Sequence, residues 1–349
     1  MTSQRWLLPG RVRWTPLLVS FVVLAAVVLL ATGVGSVGVA PAEVVQVLWF
    51  GATGQLGEAP NSVAATIVWR IRLPRVLLAA LVGGSLALSG AAFQGLFRNP
   101  LADPYLLGVA SGAGFGAALT LIFAPTVPLL AMLGVPLVSF VFGLLSVVVV
   151  VLLARQGRTI PMVSLILAGV VLGSSFSAAT SFVMLLDREL AANVLAWLLG
   201  SFGFASWANI AAILPFVLVA GVATLAASRA LNVLQLGDEA ALHLGLPVET
   251  VKFALIGVAT LATAAAVSVS GIIGFVGLMV PHAVRLAFGP DHRTLVPLSA
   301  LWGALFMVLA DLLARTIIAP AEIPVGVITA LVGGPFFLYL LRRERRGFG

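Results

Sequence analysis

Residues 70–116 read RIRLPRVLLAALVGGSLALSGAAFQGLFRNPLADPYLLGVASGAGFG. Arg70, Arg72 and Arg75 precede an uncharged run from 76 to 97, Arg98 closes it, and a polar turn with Asn99, Pro100, Asp103 and Pro104 leads into a glycine-rich apolar run. A helix hairpin of this kind satisfies its own backbone in hydrocarbon, whereas the Arg, Asn and Asp of its turn need water or protein around them. The stretch therefore reads as two membrane-crossing helices and their connection.

The composition of the whole chain agrees. Hydrophobic residues make up 61% of 349 and charged residues 9%, with a mean hydropathy of +1.17, whereas a soluble domain carries about a quarter charged residues. The formal net charge of +7 is distributed between apolar runs, where positive residues set topology, and it implies no nucleic-acid partner. The chain has no cysteine, which excludes disulfides, thiolate metal sites and cysteine nucleophiles together.

Because about 20 apolar helical residues cross a bilayer core, the gaps between charges delimit the spans. They fall near 15–35, 76–96, 105–124, 133–153, 162–185, 208–228, 253–270, 276–288, 295–317 and 325–341. Pro125, Pro128, Gly134 and Pro136 divide the long run 104–154. GIIGFVG (Gly271–Gly277) interrupts the run 253–284 as a hinge before a short eighth span. The expected fold is thus a single all-α polytopic membrane domain over 1–349, with ten transmembrane helices in two inverted halves of five and both termini cytoplasmic. EVVQVLWF (Glu43–Phe50) reads as a short amphipathic helix on the outer surface.

Orientation comes from the cations. Arg5, Arg11, Arg13, Arg98, Arg155, Arg158, Arg229, Lys252, Arg285, Arg293, Arg342, Arg343, Arg345 and Arg346 fall on the side of the termini, which marks that side as cytoplasmic. The first apolar run is long for the core of a signal peptide, and its removal would leave nine spans; it is read as a span. Arg70, Arg72, Arg75, Arg188 and Arg315 fall outside, against the bias. Snorkelling to lipid phosphates is one account of them. Convergence of arginines from separate helices on a surface that recognises carboxylates is the other, and the position of Arg315 on the same face favours it.

The chain carries little chemistry of its own. Its one lysine, Lys252, follows Val251, so no Walker A sequence is present. Gly112, Gly114 and Gly116 have the wrong spacing for a dinucleotide fingerprint and read as close helix packing. His243, His282 and His292 form no metal-ligand pattern, and nothing orients a histidine toward Ser111 or Ser268 as a hydrolase would require. An ion-coupled secondary carrier would place carboxylates near the midplane. The one carboxylate well inside a span is Asp311, with Arg315 at the spacing of a helical ion pair. The loop 229–252, RALNVLQLGDEAALHLGLPVETVK, holds a short helix bounded by Gly237 and Gly245, with Asp238 and Glu239 at its start and Leu242 and Leu244 left apolar. From this stretch alone, an ordinary capped loop helix and an attachment point for an external energy source are both open.

RLPR (72–75), SGAAFQGLFRNPLADPYLLGVASGAG (89–114), LNVLQLGDEAALHLGL (231–246), SGIIGFVGLMVPHAVRL (270–286), GPDHR (289–293), ADLLAR (310–315) and EIPVGVITALVGGPFF (322–337) together resemble permease subunits of the ABC importers for ferric siderophores, haem and cobalamin (FecCD-type, type II). The likeness implies a multi-pass permease of the bacterial inner membrane that is not itself an enzyme. It implies a second copy or a related permease, two cytoplasmic ATPase subunits, a periplasmic or lipid-anchored substrate-binding protein and a metal-chelate substrate. No cofactor is expected on this chain, ATP and Mg belonging to the partner ATPase.

By motif, Arg72, Arg75 and Arg315 correspond to arginines that dock the binding protein. Asn99 and Leu101 correspond to the inner gate; Gly271, Ile273, Gly274 and Gly277, in the hinge before the short eighth span, are expected to border the route. Gly237, Asp238, Glu239, Ala241, Leu242, Leu244 and Gly245 correspond to the ATPase-coupling element. The cobalamin branch has an acid before NPLA and a Thr-Ser pair opening the fifth span; Arg98, Met162 and Val163 stand here instead. That departure leans the reading toward a ferric siderophore, with haem or cobalamin as alternatives.

Overall fold

The computed structural model describes residues 14–35, 38–157 and 159–345, at 58, 341 and 343–345 by backbone only. Of the cations assigned above to the side of the termini, Arg5, Arg11, Arg13, Arg158 and Arg346 lie outside the described residues, as do the side chains of Arg343 and Arg345. Regular structure among the described residues is helical, with one isolated bridge between Gln156 and Thr159. In chain order the α-helices are α1 (Trp14–Gly33), α2 (Pro41–Ala52), α3 (Ser62–Leu96), α4 (Val109–Phe123), α5 (Pro128–Ala154), α6 (Met162–Leu186) and α7 (Arg188–Leu198). They continue with α8 (Trp207–Ala226), α9 (Ser228–Leu234), α10 (Asp238–His243), α11 (Val248–Ser270), α12 (Val276–Phe288), α13 (His292–Ala314) and α14 (Val325–Arg345). Seven of them, α1, α3, α5, α6, α8, α11 and α13, are long and apolar enough to cross a membrane, while α4, α12 and α14 are shorter in their apolar parts.

The axis of the fold is α3, a continuous helix of 35 residues. It starts well before the expected boundary at 76, because the Asn61 side chain caps it by accepting from Val63 N and Ala64 N at 3.1 and 3.0 Å. Arg70, Arg72 and Arg75 therefore lie within the helix instead of before it. A π-helical turn, Thr66–Arg72, precedes Pro74, whose missing N–H and bulky ring a regular ladder would not accommodate. Helix α5 likewise starts at Pro128, ahead of the expected 133, and kinks at Gly134 (φ 72°) two residues before Pro136.

Small residues let neighbours approach α3 closely. A Cβ on Gly83 would collide with the backbone of Gly303 in α13, and one on Gly90 with the backbone of Gly277 in α12. Gly112 and Gly116 serve the same purpose in α4, where added Cβ atoms would meet Phe142 and Val138 of α5, so the glycine-rich run is a packing seam. Two apolar cores lie along α3, one around Leu78, Phe202, Ile273 and Met307, the other around Phe93, Leu165, Leu231 and Val296. At about 1.5 Å per residue, the distance along α3 from Arg75 to Gly95 separates two ends: an arginine end with Asp311 and Glu322, and a loop end with Asn232, Asp238 and His292.

Two glycine substitutions should act in opposite directions. Gly90→Leu should destabilise the purified protein by about 3 kcal/mol or more, since backbone faces it and cannot yield. Gly257→Ala, where nothing lies within 4 Å, should stabilise by about 0.4–1 kcal/mol. Thermal unfolding in detergent measures both; equal effects would contradict the close α3–α12 packing.

Candidate functional site

The π-turn and Pro74 aim Arg72 and Arg75 of α3 at the end of α13. Arg75 grips Asp311 through Nε and Nη2, donating to Oδ1 at 2.9 and 2.8 Å, and its Nη1 donates to Glu322 Oε1 at 2.8 Å. Arg315 Nε lies 3.5 Å from Asp311 Oδ2. Other guanidinium donors reach the end of α1: Arg72 Nη1 donates to Gly33 O at 2.7 Å, Arg315 Nη1 to Val34 O at 2.8 Å and Arg315 Nη2 to Ala31 O. A helix C-terminus leaves four carbonyls without intrahelical partners and carries the negative end of its dipole, and arginines complete both requirements.

Arg72, Arg75 and Arg315 thus converge, as the sequence suggests, but inward. They are 6%, 9% and 7% exposed: Arg72 and Arg315 meet the end of α1, and Arg75 and Arg315 meet Asp311. Arg70 in α3 and Arg188 at the start of α7 are exposed.

Between α11 and α12 the chain leaves helical geometry over 271–275, where Gly271 (φ 72°) and Phe275 (φ 70°) take left-handed conformations. Neighbouring protein satisfies this stretch, as non-helical backbone at membrane depth requires. Tyr105 Oη donates to Ile273 O at 2.9 Å, the Ser270 hydroxyl donates to Gly271 O at 3.1 Å, and Ser201 N donates to Ser270 O at 2.8 Å. Of the residues expected to border a route, Gly271 and Gly277 are packed against Trp197 and Gly90, and Ile273 is 1% exposed in the core. These three are packed within the protomer, where Tyr105 and Ser201 hold the hinge. Gly274 alone has open space where a side chain would stand. Beside the hinge a cleft of about 630 Å³ is lined by Leu121, Pro136, Asn193, Trp197, Ser268 and Ser270. Its wall α7 went unpredicted, although Asp187, whose carboxylate accepts from Glu189 N and Leu190 N at 3.0 Å, is a readable N-cap.

At the loop end, Asn99 and Leu101 are exposed in the turn after α3, and Asn99 Oδ1 accepts from Leu101 N at 2.9 Å. Helix α10 is flanked by Gly237 (φ 105°) and Gly245 (φ 83°), turns Ala241 inward and leaves Leu242 and Leu244 59% and 65% exposed, with Glu239 also outward. Asp238 pairs with the buried Lys252 at 2.5 Å, and Glu249 lies 3.5 Å from the same ammonium. A buried polar group that periodicity did not reveal ties α3 to α12 and α13. Gln94 donates to Leu278 O at 3.0 Å and accepts from Arg285 Nη2 at 3.2 Å, and the His292 ring fits against Gly95. Nearby, Asp291 is held below the usual carboxylate range: burial alone would raise it, but hydrogen bonds from Arg293 and Asn232 outweigh that.

The model of the FecCD transport family matches residues 23–343. A cobalamin import system permease of Halobacterium salinarum is 47% identical over 284 residues, 81% of this chain and 75% of its own length. A hemin transport system permease of Yersinia pestis is 44% identical over 282 residues, 80% of this chain and 84% of its own. Among solved structures, one described as an inward-facing conformation of a metal-chelate type ABC transporter superposes with a TM-score of 0.82 at 30% identity, covering 94% of this chain and 99% of that one.

Removing one partner of the buried cluster should be costly. Asp311→Asn should destabilise by about 3–5 kcal/mol, because two guanidinium groups are left buried beside an uncharged amide. Glu322→Gln, at the half-exposed edge of the same cluster, should cost about 1 kcal/mol or less. Unfolding midpoints in one detergent rank the two; the reverse order would contradict the inward reading of the arginines.

Proposed function

The chain belongs to the FecCD transport family, whose members are membrane permeases of ABC importers and not enzymes, and from that membership we propose how it works. It is the permease subunit of a binding-protein-dependent importer that moves a ferric siderophore or similar metal chelate into the cytoplasm. The carrying observation is the end-to-end likeness to a metal-chelate type transporter over 94% of the chain. Haem and cobalamin are the alternative cargoes, and relatives named for both are close. Arg98, Met162 and Val163 favour the siderophore.

In this reading α1, α3, α4, α5 and α6 form one half and α8, α11, α12, α13 and α14 the other, ten spans in inverted orientation with both termini cytoplasmic. The membrane is the bacterial inner membrane, and the loop end faces the cytoplasm. A second copy or a related permease completes the path, which the exposed apolar faces of α6 and α14 support, with Val163, Leu167, Leu331 and Leu338 uncovered. Asn99 and Leu101 form the inner gate, and Gly274 with the cleft beside the hinge borders the route. Helix α10, with Leu242 and Leu244, seats in a partner ATPase that binds ATP and Mg, one such subunit per permease. A binding protein docks at the arginine end, where Arg70 and Arg188 are free to meet its carboxylates and Arg72, Arg75 and Arg315 hold the surface beneath.

An ion-coupled carrier fits less well. Asp311, the carboxylate that would serve as its relay, is consumed by Arg75. The test is uptake of labelled ferric siderophores, haem and cobalamin by a deletion strain carrying this chain or Leu244→Arg. The parent should accumulate one of these chelates; the variant should accumulate none and lose copurification of its ATPase. An assembled, fully transporting Leu244→Arg complex would remove α10 as the coupling element.

A further inference from the structure

Three connections meet at the loop end around one ammonium group. Lys252, the chain's one lysine, lies buried near the start of α11, with Asp238 Oδ2 at 2.5 Å and Glu249 Oε1 at 3.5 Å. Glu249 Oε2 also accepts from Ile160 N at 3.0 Å, which brings in the connection between α5 and α6. The second oxygen of Asp238 faces the other way, toward Arg98 Nη2 at 3.6 Å.

Arg98 stands two residues past the end of α3, at the start of the turn of Asn99 and Leu101. Its backbone is left-handed at φ 49°, a conformation glycine ordinarily supplies at a helix C-terminus and that other side chains adopt at a cost. Arg98 N donates to Gly95 O at 3.4 Å and Asn99 N to Gln94 O at 3.2 Å, so this residue sets the direction in which the turn leaves the helix. Its guanidinium lies over the start of α10, 3.4 Å from where a side chain on Gly237 would begin. Both members of the Arg98–Asp238 pair are half-exposed, unlike the buried Arg75–Asp311 pair. An ion pair in that setting contributes little to stability, so packing stability does not account for the placement of a strained arginine there.

We infer that the Arg98–Asp238 pair is the strut that passes movement of α10 to the gate turn, with Lys252 as its fixed anchor on α11. Arg98 is a positioning residue: it touches neither cargo nor ATPase and acts through the direction it gives to Asn99 and Leu101. The inference rests on the proposed coupling role of α10 and gate role of Leu101, and it goes beyond them by naming the bond between the two.

The test uses the full permease–ATPase complex carrying Leu101→Cys, comparing Arg98→Gln with Arg98→Lys. Arg98→Gln should still copurify with the ATPase and hydrolyse ATP near the parental rate. Its transport per ATP should fall about tenfold, within the range over which single links change coupling, and labelling of the cysteine should lose its dependence on nucleotide. Arg98→Lys, which keeps the charge, should restore most of both. Normal transport per ATP and nucleotide-dependent labelling in Arg98→Gln would overturn the strut. Loss of ATPase copurification in Arg98→Gln would overturn it too, by placing Arg98 in the docking surface. Failure of the underlying coupling reading shows elsewhere, as a Leu244→Arg complex that assembles and transports.

Discussion

Every polar group that leaves water for the bilayer core must find its partner inside the protein, and the main departures from regular helix in this chain answer that constraint. The arginines of α3 and α13 are held by Asp311, Glu322 and the last carbonyls of α1. The broken segment 271–275 is held by Tyr105, Ser270 and Ser201. In both places a local feature that would be untenable alone is fixed by elements distant in sequence, which ties α1, α3, α13 and the α11–α12 hinge into one body.

The two ends of α3 answer the constraint differently. At the arginine end Arg75 and Asp311 are buried and doubly partnered, which suits a rigid platform. At the loop end, Arg98, Asp238 and Glu249 are half-exposed around a buried Lys252, and apolar Leu242 and Leu244 face outward. The two ends thus differ in how firmly their charges are held.

Much of the fold was legible because hydrocarbon leaves a simple trace: long uncharged runs, prolines where α4 passes to α5, and glycines at the hinge before α12. The boundary of α3 was not legible at that level. Charge marks the edge of a span only where the protein offers it no partner, whereas internal partners let Arg72 and Arg75 sit inside a helix, with Arg70 exposed on the same helix. Helix α7 was missed for the opposite reason, since it is amphipathic and hidden within a run read as apolar, and only Asp187 announced it. Among the site residues, periodicity brought out the exposed Leu242 and Leu244. It could not tell that Ile273 points inward, because the direction of a side chain in non-helical backbone depends on contacts such as Tyr105. Nor could it pair Arg98 with Asp238, residues distant in the chain that meet only through the packing of α3 against α9, α11 and their loops.

The central claim is that the permease is driven from outside by nucleotide hydrolysis and not by an ion gradient through its own carboxylates. It is tested most directly in proteoliposomes holding this chain with its ATPase and binding protein, by following accumulation of a labelled ferric chelate. The account predicts accumulation that requires ATP and the binding protein and persists when proton and sodium gradients are collapsed. Accumulation without ATP that disappears with the gradient would contradict it.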